Sequence, residues 1–171
     1  MLKISAGILV FRVNGKKVEI LIGHTGGPYG VNKDTSAWSI PKGEIEQLDN
    51  DTVEDSFEAA IREFKEETNL DIMDKNKIKY FDTIHQSSMK DVIIYIMEEN
   101  YDLSNFKSNT FEMEWPEGSG NIGTFPEIDK LEWVDLRTAR DRLFRGQRQI
   151  IDLLQLYLEG RRDAIDSATC N

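Results

Sequence analysis

Residues 52–70 read Thr52-Val53-Glu54-Asp55-Ser56-Phe57-Glu58-Ala59-Ala60-Ile61-Arg62-Glu63-Phe64-Lys65-Glu66-Glu67-Thr68-Asn69-Leu70, and this stretch decides the fold. Val53, Phe57, Ala60, Ile61 and Phe64 recur at the spacing of one helix face. Thr52 and Asp55 have the form of a capping box, which places the helix at about 53–68. Asn69 stands where a left-handed residue ends a helix, a position for which Asn is the usual second choice after Gly.

The same stretch concentrates charge. Between Glu44 and Glu67 there are ten carboxylates against two bases, Arg62 and Lys65. At about 100° per residue, Glu63, Glu66 and Glu67 share an arc of roughly 100° beside the apolar stripe. No base is expected directly among them. Like charges three and four residues apart destabilise a helix and raise one another's pKa values. A solvated helix face is the ordinary reading of such a run. A site for a hard divalent cation, Mg²⁺ or Mn²⁺, is the other, because carboxylates suit it and it would remove the repulsion.

The rest of the chain sets bounds. Its 171 residues suit one domain, expected over residues 1–160 with a loose tail at 161–171. Hydrophobic residues at 39% and charged residues at 30% fit a globular class, not a disordered one. A net charge of −10 argues against a nucleic-acid polymer as partner, since phosphate contacts need a basic footprint. The lone cysteine, Cys170, permits neither an intrachain disulfide nor a thiolate zinc cluster, so a reducing, cytoplasmic compartment is expected. No apolar stretch is long enough for a membrane span, and no secretory leader is recognised.

Residues 4–13 and 18–22 read as strands joined by a hairpin at Asn14-Gly15. Residues 24–38, rich in Gly, Asp and Ser, read as a long functional loop. Strands are expected at 78–84, 92–97 and 131–134, with a polar excursion at 98–123. Asp135 is placed to cap a helix that runs to about Arg145 and stops at Gly146. A last helix is expected over 148–158, stopped by Gly160.

Gly43, Glu54 and the run from Arg62 to Leu70 resemble the Nudix box, G-x5-E-x7-R-E-U-x-E-E-x-G-U, where U is a bulky apolar residue. Trp38-Ser39-Ile40-Pro41-Lys42-Gly43 is similar to the W-x-x-P-K-G segment that leads into the box in many Nudix hydrolases. Seven residues separate Glu54 from Arg62, as in the box, but ten rather than five separate Gly43 from Glu54. The chain therefore carries a five-residue insertion after Gly43, and Asn69 replaces the last Gly.

The resemblance implies an α/β/α sandwich with a mixed β-sheet. It also implies Mg²⁺-dependent hydrolysis of a phosphoanhydride in a nucleoside triphosphate, a dinucleoside polyphosphate or a related diphosphate, Mn²⁺ being a possible substitute. Glu63, Glu66 and Glu67 would hold metal with a main-chain carbonyl near Gly43, while Glu54 and Arg62 would brace the loop. Glu127, before the last strand, is either the general base or an acidic ligand, or else a surface carboxylate; Glu63 is the next candidate base. Lys42, Trp38 and His24 are weaker candidates for touching substrate. The alternative is a nucleotide-binding sensor on the same fold with weak turnover. The partner in either case is a small nucleotide, and the chain is expected as a monomer or homodimer.

Overall fold

A computed structural model describes residues 2–169, with side chains described through Asp163; Cys170 lies outside the described residues. Two strands, β1 (Lys3–Asn14) and β2 (Lys17–Thr25), form a hairpin in which Asn14 pairs with Lys17. The two-residue turn is therefore Gly15-Lys16, one position later than expected, and Gly15 takes the left-handed backbone there with φ 63°. Alternation along β1 supplies two cores. Ala6, Ile8 and Val10 face one layer, and Leu9 and Phe11 face the other.

Beyond residue 11, counting back toward the N-terminus, β1 and β2 part. The segment after the loop fills the gap with two short strands, β3 (Trp38–Ser39) and β4 (Lys42–Glu44). The first pairs with Gly23 and His24 of β2. The second pairs with Ser5, Ala6 and Gly7 of β1. Between them the Ile8 amide donates to the Pro41 carbonyl at 3.1 Å. On its other edge β1 runs parallel to β6 (Lys90–Glu98), which pairs antiparallel with β5 (Lys79–Ser87). On the outer edge of β2 lies β9 (Ile128–Asp135). The result is the expected mixed sheet, of seven strands.

The helix α1 (Ser56–Thr68) covers one face, packing Ala59, Ala60 and Phe64 onto Ala6, Ile8, Val10 and Leu21. Burying Phe64 alone is worth about 1.5–3 kcal/mol. The helix starts later than the capping box suggests. Val53 forms a β-bridge to Gln47 and is exposed, so the N-cap passes to Asp55, whose carboxylate accepts from the amides of Phe57 and Glu58. Asn69 ends it in the left-handed region, φ 58°, as expected.

The opposite face is covered by α2 (Leu136–Arg142), capped by Asp135, and α3 (Gln149–Thr169), around Trp38, Ile150, Ile151 and Leu154. α2 stops at Arg142 instead of about Arg145, and α3 passes straight through Gly160, whose place on that helix is crowded by nothing. The excursion at 98–123 also holds more structure than its polarity suggests. It contains β7 (Thr110–Glu114), which pairs with β8 (Ile122–Pro126) in a separate two-stranded ribbon. No helix among the described residues is long and apolar enough to cross a membrane.

The cap of α1 is directly testable. Asn69→Ala keeps every core contact but puts in the left-handed region a side chain that, unlike that of Asn, has no polar group to ease it, so it should cost about 1 kcal/mol in urea unfolding. Asn69→Gly should retain wild-type stability in the same measurement.

Candidate active site

The helix α1 aims its acidic edge at β4, and Arg62 organises what it finds there. Its Nε and Nη2 donate to both carboxylate oxygens of Glu54, at 2.9 and 2.8 Å. Its Nη1 donates to Glu63 Oε1 at 2.7 Å and to Glu66 Oε2 at 3.2 Å, and Nη2 also reaches the Glu44 carbonyl at 3.2 Å. Two hydrogen bonds thus join Arg62 to Glu54. The expectation of no base among the acidic side chains is corrected, because the planar guanidinium fork can serve several oxygens at once.

The five-residue insertion is pinched off at its base. The Glu54 amide donates to the Glu46 carbonyl at 2.9 Å, and the Glu46 amide donates to Glu54 Oε2 at 3.2 Å. Within the excursion Asp49 Oδ1 accepts from the amides of Asp51 and Thr52. The extra residues are thereby closed off between Glu46 and Glu54.

Gly43 allows a close approach of the Glu63 carboxylate to the strand. A Cβ built there would lie 2.0 Å from the Glu63 carboxylate. Glu67 is fixed by the neighbouring amide, Lys42 N–H donating to Glu67 Oε2 at 2.8 Å. Glu127 arrives from the single residue between β8 and β9. Its amide donates to the Asn109 carbonyl at 3.1 Å and its carbonyl accepts from Gly26 N–H at 2.8 Å. Asn109 N–H in turn donates to the Glu66 carbonyl at 2.9 Å, so the last turn of α1 and the Glu127 segment are tied through one residue.

Carboxylate oxygens of Glu63, Glu67 and Glu127 thereby come within 4.8 Å of one another. Glu66 stands outside this trio, its half-exposed carboxylate on Arg62. A cleft of about 380 Å³ opens beside the cluster, lined among others by Lys42, Glu67, Lys90 and Glu127. Burial pushes the Glu67 carboxyl up to about 8, against the pull of Lys42, and pushes Glu63 up as well. Burial also lowers the Lys42 ammonium, an effect larger than the opposing influence of Glu67. Three hard oxygen donors, two of which, Glu63 and Glu67, burial drives toward protonation, fit a divalent cation, which would restore that charge.

His24 and Trp38 are not brought to the cleft. Both lie on strands in the interior, 2% and 1% exposed, with their rings 5.0 Å apart. His24 Nδ1 contacts Asp129 and Nε2 contacts the Lys33 carbonyl, both at 2.6 Å. Arg142 covers the Trp38 ring at 4.8 Å. Phe111, Phe144 and Gln86 line the cleft instead, and sequence reasoning did not find them. The Phe-Pro pair just before Glu127 was the nearest signal to that part of the wall.

A family model described as the NUDIX domain matches residues 1–154. Among solved structures, the chain is similar to a Caenorhabditis elegans Ap4A hydrolase binary complex, with TM-score 0.59 and 18% identity over 91% of this chain and 98% of that one. It is similar to the NUDIX domain of Shewanella oneidensis NrtR complexed with ADP ribose, with TM-score 0.60 and 13% identity over 92% and 89%. The MutT protein from Methanosarcina mazei Go1 follows at 0.53 and 19%, over 88% and 91%. These likenesses are of fold. Comparison with curated proteins gives no match.

Two outcomes follow for the metal-free protein. Between pH 4.5 and about 8 the folded state holds a proton on Glu67 that the unfolded state has released, so this group's contribution to stability should fall as pH rises through that window. Thermal unfolding in chelator across the window reads that fall, and added divalent cation should abolish it. Arg62→Ala should lower stability by about 2–3 kcal/mol in denaturant unfolding, since it strands Glu54 and Glu63 without their charged partner.

Proposed function

The chain belongs to the Nudix family, and from that premise we propose that it is a Mg²⁺-dependent hydrolase of a phosphoanhydride bond in a nucleoside di-, tri- or polyphosphate derivative. The observation that carries the reading is the convergence of Glu63, Glu67 and Glu127 at one end of a cleft that also presents Lys42 and Lys90. A carboxylate trio with two ammonium groups beside it is suited to a polyanion that brings a cation with it.

In this proposal Glu63 and Glu67 would hold the metal, with the Gly43 carbonyl and Glu66 as further ligands. The bound metal, Mg²⁺ or in its place Mn²⁺, supplies charge neutralisation and a lowered pKa for the attacking water. Lys42 and Lys90 attract and orient the phosphates. Glu127 accepts the water proton on its carboxylate as the new oxygen–phosphorus bond forms and the anhydride oxygen–phosphorus bond breaks, the leaving phosphate keeping the electron pair. Arg62 does not touch substrate. It holds Glu63 in place by the 2.7 Å hydrogen bond to Oε1 and leaves Oε2 to the site.

A screen of nucleotide substrates with Mg²⁺, with products separated by chromatography, tests the reaction. Glu67→Gln should reduce turnover to less than about a tenth of wild type, since metal-ion catalysis is worth several kcal/mol, while the variant stays folded by circular dichroism. Glu127→Gln should lower kcat by about 10²–10⁴ with little change in KM, and the pH–rate profile should lose its acid limb. A Glu127→Gln rate within about threefold of wild type would move the base to Glu63.

A further inference from the structure

The far wall of the cleft carries a polar relay that the reaction itself does not use. Gln147, on the short turn Arg145–Gln147 between α2 and α3, is fully buried. Its Oε1 accepts from the Ile40 amide at 3.1 Å. A backbone N–H can only donate, so this contact settles which end of the Gln147 amide is oxygen. Its Nε2 must then supply both remaining bonds, to Ser39 Oγ and to Gln86 Oε1, each at 2.9 Å. Ser39 agrees, because its hydroxyl proton is already given to the Ile40 carbonyl at 2.7 Å.

The consequence passes to Gln86. With Oε1 turned back to Gln147, Gln86 has only its NH₂ left to present. That group has no partner among the described residues, and it is not among the sealed, unpaired polar atoms of the interior, so solvent reaches it. The backbone is arranged to place it. The ladder between β5 and β6 passes from His85↔Asp91 to Ser87↔Lys90, leaving Gln86 as a bulge, a device that re-aims a side chain beside a site. Gly146 permits the turn to close on it, since a Cβ there would lie 1.9 Å from the Gln86 carbonyl.

Gln86 shares the cleft with Glu67 and Glu127 at one end and with the rings of Phe111 and Phe144. Aromatic side chains with one fixed donor suit a flat heterocycle that offers an acceptor. We propose that Gln86 reads the base of the nucleotide by donating its amide N–H to a keto oxygen, and that Gln147 is the positioning residue that fixes this polarity. The substrate class is then a diphosphate of a keto base, such as hypoxanthine, guanine or uracil, in preference to its amino counterpart. The inference rests on the nucleotide reading given above.

Calorimetric binding of the inosine and adenosine 5′-(α,β-methylene)diphosphates, with Mg²⁺ present, tests it without turnover. Wild type should bind the inosine analogue at least about fivefold more tightly, the worth of one hydrogen bond. Gln86→Glu replaces the donor by an acceptor of the same length and should reverse the order. Gln147→Met frees Gln86 to turn its amide over and should bring the ratio near one while absolute affinity changes little. Should Gln147→Met fail to fold, Gln86→Glu decides alone. Equal binding of the two analogues by wild type, or an unchanged order in Gln86→Glu, overturns the role of Gln86 and leaves the hydrolase reading standing. Failure of wild type to bind either analogue overturns the nucleotide reading, and this inference with it.

Discussion

The guanidinium of Arg62 is shared by Glu54, Glu63, Glu66 and the Glu44 carbonyl, and each of these belongs to a different part of the site. Glu54 closes the loop after β4, Glu63 faces Gly43, Glu66 lies on the open side of the helix, and Glu44 ends the strand paired with β1. One cation in the middle converts a set of mutually repelling carboxylates into a positioned set. Burying the fork is tolerable because its donors meet acceptors, two of them on a single carboxylate. The arrangement also sorts the acidic groups. Glu54 has both oxygens taken by Arg62, Glu63 and Glu66 each give it one, and Glu67 and Glu127 receive no hydrogen bond from it and line the cleft.

The cleft itself is a property of the sheet. β1 and β2 begin as a hairpin and then diverge, and Trp38–Glu44 is laid into the opening with half its length on each strand. That places the Lys42 amide over Glu67 and the glycine at 43 against Glu63, so the strand edge and the helix meet through single-atom contacts. Trp38, anchored in the opposite core layer, holds the other end of the same segment. A shift at either end would be felt at the carboxylates, because the interior around them is close-packed.

Much of this was legible in order of sequence locality. The helix, its left-handed Asn69 end and the spacing from Glu54 to Arg62 are short-range properties, and the structure has them. The start of α1 was misplaced because Thr52 and Asp55 are both good caps, and only the bridge from Val53 to Gln47, a contact outside the helix, chooses between them. The strands β7 and β8 hide among acidic residues, Gly123 and Pro126, and form only because each has the other for a partner. His24 and Trp38 sit beside residues typical of loops, yet strand pairing carries both into the core. Gln147 pairs with residues 61 and 108 positions away, a relation no local pattern encodes.

The insertion after Gly43 bears on how such chains are related to one another. Its ends, Glu46 and Glu54, are hydrogen-bonded, and residues 47–53 stand off as a self-contained turn. Distance along the chain and distance in space are therefore uncoupled at this point. A pattern that demands a gap of five residues between glycine and glutamate would pass over this sequence, although Gly43 and Glu54 both lie against Glu63 or its partner Arg62. At this corner the chain is closed by a pair of touching backbones at Glu46 and Glu54, and the length of what is looped out between them does not enter that contact.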